Sequence, residues 1–149
     1  YFYINYGVGD YDEALKYLNE WLNLPRSIKR EDLQSLARIL NLIIHYEMGN
    51  TFLLDYLFRS TYRFLKKRDR VFEFEKRMMQ FFRDSNKTSS RKELVVLLEE
   101  LREDFIVLSQ TPSENVMFLY FDFLSWVESK VSGRSFAEVI AEKFQREYH

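Results

Sequence analysis

Gly9-Asp10-Tyr11-Asp12-Glu13-Ala14-Leu15-Lys16-Tyr17-Leu18, followed by Trp21, Leu22, Leu24 and Pro25, reads as a tight turn opening an amphipathic helix. Asp10 stands where a helix N-cap is wanted, with Glu13 three residues on, the spacing of a capping box. Tyr11, Ala14, Leu15, Leu18, Trp21 and Leu22 keep the three-and-four spacing of one helical face, and Pro25 stops the helix. Related spacing returns about forty residues later, from Gly49-Asn50 through Leu54, Leu57, Phe58 and Tyr62. A repeat of that length predicts stacked helical hairpins, an architecture used mostly to hold other proteins.

The rest of the chain supports helices throughout. Tyr1 to Tyr6 reads as the end of a helix stopped by Gly7 or Gly9. A long helix is expected from about Lys29 to Met48, apolar nearly all round in its second half and so buried on more than one side, with Gly49 as its left-handed C-cap. The next runs from about Thr51 to Lys67 with Leu54, Leu57, Phe58, Tyr62 and Leu65 inward. Asp69 is expected to cap a helix carrying Phe72, Phe74, Met78, Met79, Phe81 and Phe82. After a polar loop from Asp84 to Ser89, Ser90 and Glu93 form a second capping box, and Leu94, Leu97, Leu98, Leu101 and Phe105 share one face. Thr111-Pro112-Ser113-Glu114 offers a cap residue, a Pro at the first helical position and an acid at the third, and so predicts a single helix from Pro112 to about Val131. Gly133 ends it, and Ser135 with Glu138 opens a last helix through Phe136, Val139, Ile140 and Phe144.

Composition agrees with an all-α reading. Four Gly and two Pro in 149 residues leave few turns, so elements are long, while aromatics at 17% supply a large core. The chain has no Cys, which excludes disulfides, thiolate metal sites and a Cys nucleophile. A formal charge of −1 provides no global field to collect nucleic acid or anionic lipid. No apolar run approaches the roughly 18–20 residues of a bilayer span. The chain begins in mid-pattern at Tyr1, so we expect a single helical-repeat domain, 1–149, cut from a longer protein. A cytoplasmic location is expected, and an uncovered solenoid end would favour self-association.

Gly9, Asp10, Tyr11, Ala14, Tyr17, Leu18 and Pro25 resemble the second helix of a tetratricopeptide repeat. Gly49, Asn50, Leu54, Leu57 and Phe58 match more weakly, since Leu54 replaces the small residue. Ser89, Leu94, Leu97, Leu98 and Leu101 keep only the apolar spacing, and Gly133, Phe136, Ala137 and Ile140 fall out of register. The family's repeat is about 34 residues, and these units are longer. The resemblance implies an all-α, right-handed α–α superhelix of antiparallel hairpins, of a kind common in bacterial proteins. It also implies a concave face that binds a partner peptide or helix, with Tyr3, Asn5, Tyr6, Ile39, Ile43, Tyr46 and Glu47 as the candidate lining. The same side chains also read as core between hairpins. Ile39 and Ile43 stand where the family's carboxylate clamp would need polar groups, so capture of a terminal carboxylate is not expected.

The other candidates carry bland readings beside the functional ones. Arg63, Lys66, Lys67, Arg68 and Arg70 form the densest basic cluster. They could contact phosphates, or simply gather at a helix C-terminus where the dipole favours cations. His45 with Glu47 lacks the spacing of a shared helical face and reads as a buried, hydrogen-bonded His, not a metal ligand. Glu99-Glu100 and Glu103-Asp104 read as a solvated face. No nucleophile elbow, phosphate loop or metal-protease motif occurs. The expected role is a non-enzymatic scaffold or adaptor without cofactor, metal or membrane partner. A peptide-sensing module attached to an output domain, or nucleic-acid contact through Arg63–Arg70, are the alternatives.

Overall fold

The computed structural model describes residues 10–22, 31–68 and 71–148. These contain α-helices and no strands: α1 Tyr11–Leu22, α2 Glu31–Met48, α3 Thr51–Lys66, α4 Glu73–Ser85, α5 Arg91–Ser109, α6 Val116–Tyr120, α7 Phe123–Ser132 and α8 Phe136–Tyr148. They fall into two compact units, residues 1–71 and 72–149. The expected helix at Tyr1–Tyr6 lies outside the described residues. So do the stops at Gly7, Gly9 and Pro25, the helix start at Lys29 and the cap at Asp69, as well as the side chains of Leu18, Trp21 and Leu22.

In the first unit, α2 packs against both α1 and α3. That explains why its sequence is apolar nearly all round: Leu36, Ala37, Ile39, Leu40, Leu42, Ile43 and Ile44 are all buried. Asp10 caps α1, its Oδ1 accepting from the Glu13 N–H at 3.2 Å. Ala14 has no exposed surface, a position where a larger side chain would hold the neighbouring helix away. Gly49 turns the chain at φ +73°, the left-handed conformation that favours glycine. The inward face of α3 differs from expectation. Thr61, Phe64 and Leu65 are buried, Leu54, Leu57 and Phe58 are half-buried, and Tyr62 lies at the surface beneath the Lys66 ammonium, 4.6 Å from its ring centroid. The departure is confined to Tyr62; on the buried side, the Arg38 guanidinium of α2 lies over the Phe64 ring, 4.3 Å from its centroid.

In the second unit, α5 packs on α4 and α7, and α8 packs on α7. The core is aromatic. Phe74 meets Phe105 at 5.4 Å, Phe118 at 5.3 Å and Phe123 at 4.5 Å between ring centroids, and Trp126 stands edge-on to Phe81. Tilted and edge-to-face pairs of this kind each add about 0.5–1.5 kcal/mol beyond burial. Ser90 caps α5 through the Glu93 N–H, and Ser135 caps α8 through the Glu138 N–H at 3.1 Å. Gly133 ends α7 at φ +74°.

The helix expected from Pro112 to Val131 is divided. Residues 111–115 form a turn, α6 is one short helix, and Phe121 is extended at φ −149°, ψ 141°. The break has a local cause: the Asp122 carboxylate accepts from the Ser125 N–H at 3.0 Å and the Ser125 hydroxyl at 2.6 Å, starting α7 anew. Thr111 is not a cap either. Its hydroxyl donates back to the Val107 carbonyl at 2.8 Å and closes α5. The start of α4 is likewise corrected to Glu73, behind Phe72. Phe72 has no side-chain acceptor, so two buried acids satisfy the free N–H groups there. Glu75 Oε1 accepts from the Phe72 N–H at 2.7 Å, and Glu114 Oε1 accepts from the N–H groups of Glu73 and Phe74.

Candidate functional site

The second unit carries an open groove of about 570 Å3 between α5, α7 and α8. Helical spacing builds it. Arg102 and Ile106 are four apart on α5, Leu124 and Glu128 four apart on α7, and Val139, Glu142, Lys143 and Arg146 occupy one face of α8. Arg134 enters from the α7–α8 link, where the left-handed Gly133 aims the chain. The floor is apolar: Val139 is buried, Leu124 half-buried and Ile106 partly open to water.

Ion pairs tie the walls together. Arg102 Nη1 binds Glu128 at 3.1 Å, joining α5 to α7. Lys143 Nζ binds Asp122 at 3.0 Å, joining α8 to the start of α7. Glu142 is shared: Arg134 binds one oxygen and Arg146 the other, the latter at 3.2 Å. Burial pushes the Asp122 carboxyl up, but the Ser125 hydrogen bonds and the Lys143 ammonium outweigh this and hold it below its ordinary value. The hydrogen bond and charge of Arg134 hold Glu142 below its ordinary value too. Both carboxylates are thus fixed in the charged form as ion-pair acceptors. The four cations of the lining are all engaged, by the three carboxylates Glu128, Glu142 and Asp122, which leaves one positive charge in excess.

The residues singled out by sequence are placed elsewhere. Tyr3, Asn5, Tyr6 and Arg70 lie outside the described residues. Ile39 and Ile43 have no exposed surface and sit in the core of the first unit, while Tyr46 and Glu47 are half-buried at the end of α2. Burial raises the Tyr11 hydroxyl pKa, and the Glu47 charge adds to it. Arg63, Lys66 and Lys67 are exposed and Arg68 half-buried. His45 is buried, its Nδ1 3.3 Å from the Asn50 side-chain amide, and burial lowers its pKa. Among the described residues no three His, Asp or Glu side chains converge to hold a metal ion. No described helix is long and apolar enough to cross a membrane.

Sequence reasoning missed the groove because its charges come from three helices and a link. The nearest signal was the run Val139, Glu142, Lys143, Arg146, whose spacing marks one stripe of α8. No protein family, curated protein or solved structure matches this chain.

Proposed function

We propose that the chain is a non-enzymatic protein-interaction module, a scaffold or adaptor segment built as a tetratricopeptide-like α–α superhelix, and that its partner seats in the groove between α5, α7 and α8. The groove carries the reading. It offers an apolar floor of Ile106, Leu124 and Val139 inside a rim of fixed charges, the combination that gives a protein interface its affinity and its orientation. Two further observations support it. Ala14 is fully buried at the small-residue position of the repeat motif, and α1, α2 and α3 pack in sequence in the first unit, as do α4 with α5 and α7 with α8 in the second. Carboxylates held below their ordinary pKa are poor proton acceptors at neutral pH, which favours binding over acid–base chemistry for Asp122 and Glu142.

Photo-cross-linking in the natural host tests this. A benzophenone side chain at Leu124 should give one discrete protein adduct, and Ile106→Asp should abolish it. The same probe at Glu99, exposed on α5 outside the groove lining, should not give that adduct. Equal adducts from both positions, or none from Leu124, would count against the groove.

A further inference from the structure

Glu142 is the informative residue in the groove, because one carboxylate serves two guanidinium groups. A carboxylate saturates one guanidinium in the two-pronged arrangement that makes such pairs strong; here each guanidinium receives a single oxygen. Arg146 is the less enclosed of the two, with 70% of its side chain exposed. Lys143, 47% exposed and paired with Asp122, adds a second cation beside Glu142. Their donors face a groove whose floor is apolar, so both halves of an amphipathic ligand have a counterpart.

From this geometry we infer that the groove takes an acidic amphipathic helix of a partner protein, with a carboxylate on Arg146 and aliphatic side chains on Ile106 and Leu124. The inference rests on the interaction reading above and adds the chemistry of the occupant. A carboxylate arriving at Arg146 completes the guanidinium's set and leaves Glu142 to Arg134. The partner's apolar face meanwhile removes water from Ile106 and Leu124, which strengthens the charge pairs at the rim. Specificity follows from sign: the four cations outnumber the three carboxylates that hold them, so an acidic helix is favoured over a basic one.

The probe is a fluorescent 18-residue helix-forming peptide with Leu at every third or fourth position and Glu between. Its controls are the Gln-for-Glu peptide and a single-stranded oligonucleotide of equal charge. The Glu peptide should bind the full chain at low salt and weaken steeply as salt rises. The Gln peptide should bind at least ~10-fold more weakly, and Arg146→Glu should weaken the Glu peptide ~3- to 10-fold, as rim charges do. Lys143→Gln should act in the same direction, with circular dichroism confirming the fold of each variant. If both peptides bind equally and Ile106→Asp abolishes both, the groove stands and its acidic occupant is overturned. If the Glu peptide does not bind while the Leu124 adduct forms, the acidic occupant is again overturned and the interaction reading survives. Tighter, Arg146-dependent binding of the oligonucleotide would overturn it in favour of a nucleic-acid site.

Discussion

The carboxylate of Glu114 accepts a hydrogen bond from the backbone N–H of Phe74 at 3.3 Å, bridging a sequence separation of 40 residues. Glu114 therefore acts as a cap supplied from outside the helix it caps. It ties the turn after α5 to the first turn of α4, next to the ring of Phe74 on which the aromatic core converges.

Glu114→Ala should destabilise the second unit by about 1–2 kcal/mol, the range for losing an N-cap acceptor. Urea unfolding would read this as a lower midpoint with unchanged slope, and amide exchange at Glu73 and Phe74 should accelerate. Glu114→Gln, which keeps one acceptor but loses the charge, should fall between. An unchanged midpoint for the Ala variant would contradict the external cap.

Asp122 makes a prediction about pH. Its folded pKa is below the ordinary 3.8, so its contribution is complete well above that value and is lost as pH falls through the folded pKa. Asp122→Asn should destabilise the protein near neutral pH and flatten the acid limb of its stability profile. A parallel acid limb in the variant would show that other carboxylates carry it.

His45 has the same sign for a different reason. Burial lowers its pKa below the ordinary 6.5, so the folded state favours the neutral ring. The unfolded chain binds the extra proton first on acidification, and stability falls as pH drops through 6.5 toward the folded value. His45→Gln, which can still accept from Asn50, should remove that slope. Stability curves of wild type and variant between neutral pH and ~5 are the measurement, and identical slopes would refute the assignment.

Gly49→Ala isolates backbone conformation. No atom lies within 4 Å of where a Cβ would stand, so any loss arises from φ +73° alone. A loss of about 1 kcal/mol is expected, and less for Gly49→Asn, which tolerates the left-handed region better. Thermal unfolding of the pair would show it, and a neutral Ala variant would contradict it.

The helices were legible where the signal is local. Asp10, Ser90 and Ser135 cap as their spacing implies, and Gly49 and Gly133 take the left-handed turns expected of them. Each of those features is settled within four residues of chain. The break before α7 was hidden because Val116 to Phe121 is apolar enough to continue a helix, and Asp122 stops it through Ser125 and a Lys143 twenty-one residues away. Glu114 was misread for the same reason: an acid near a helix start looks like that helix's own first turn. The groove was the least legible, because a shared Glu142 and a cation from each of α5 and α8 become neighbours only after α7 has packed between them.

The most direct measurement is amide mapping of the labelled full chain by NMR during titration with the acidic amphipathic peptide. The largest shifts should fall on Ile106, Leu124, Ser125, Val139 and Glu142, with α3 unmoved. Shifts concentrated instead on the exposed Phe52 and Tyr56 of α3, or on the Arg63–Lys67 cluster, would contradict it.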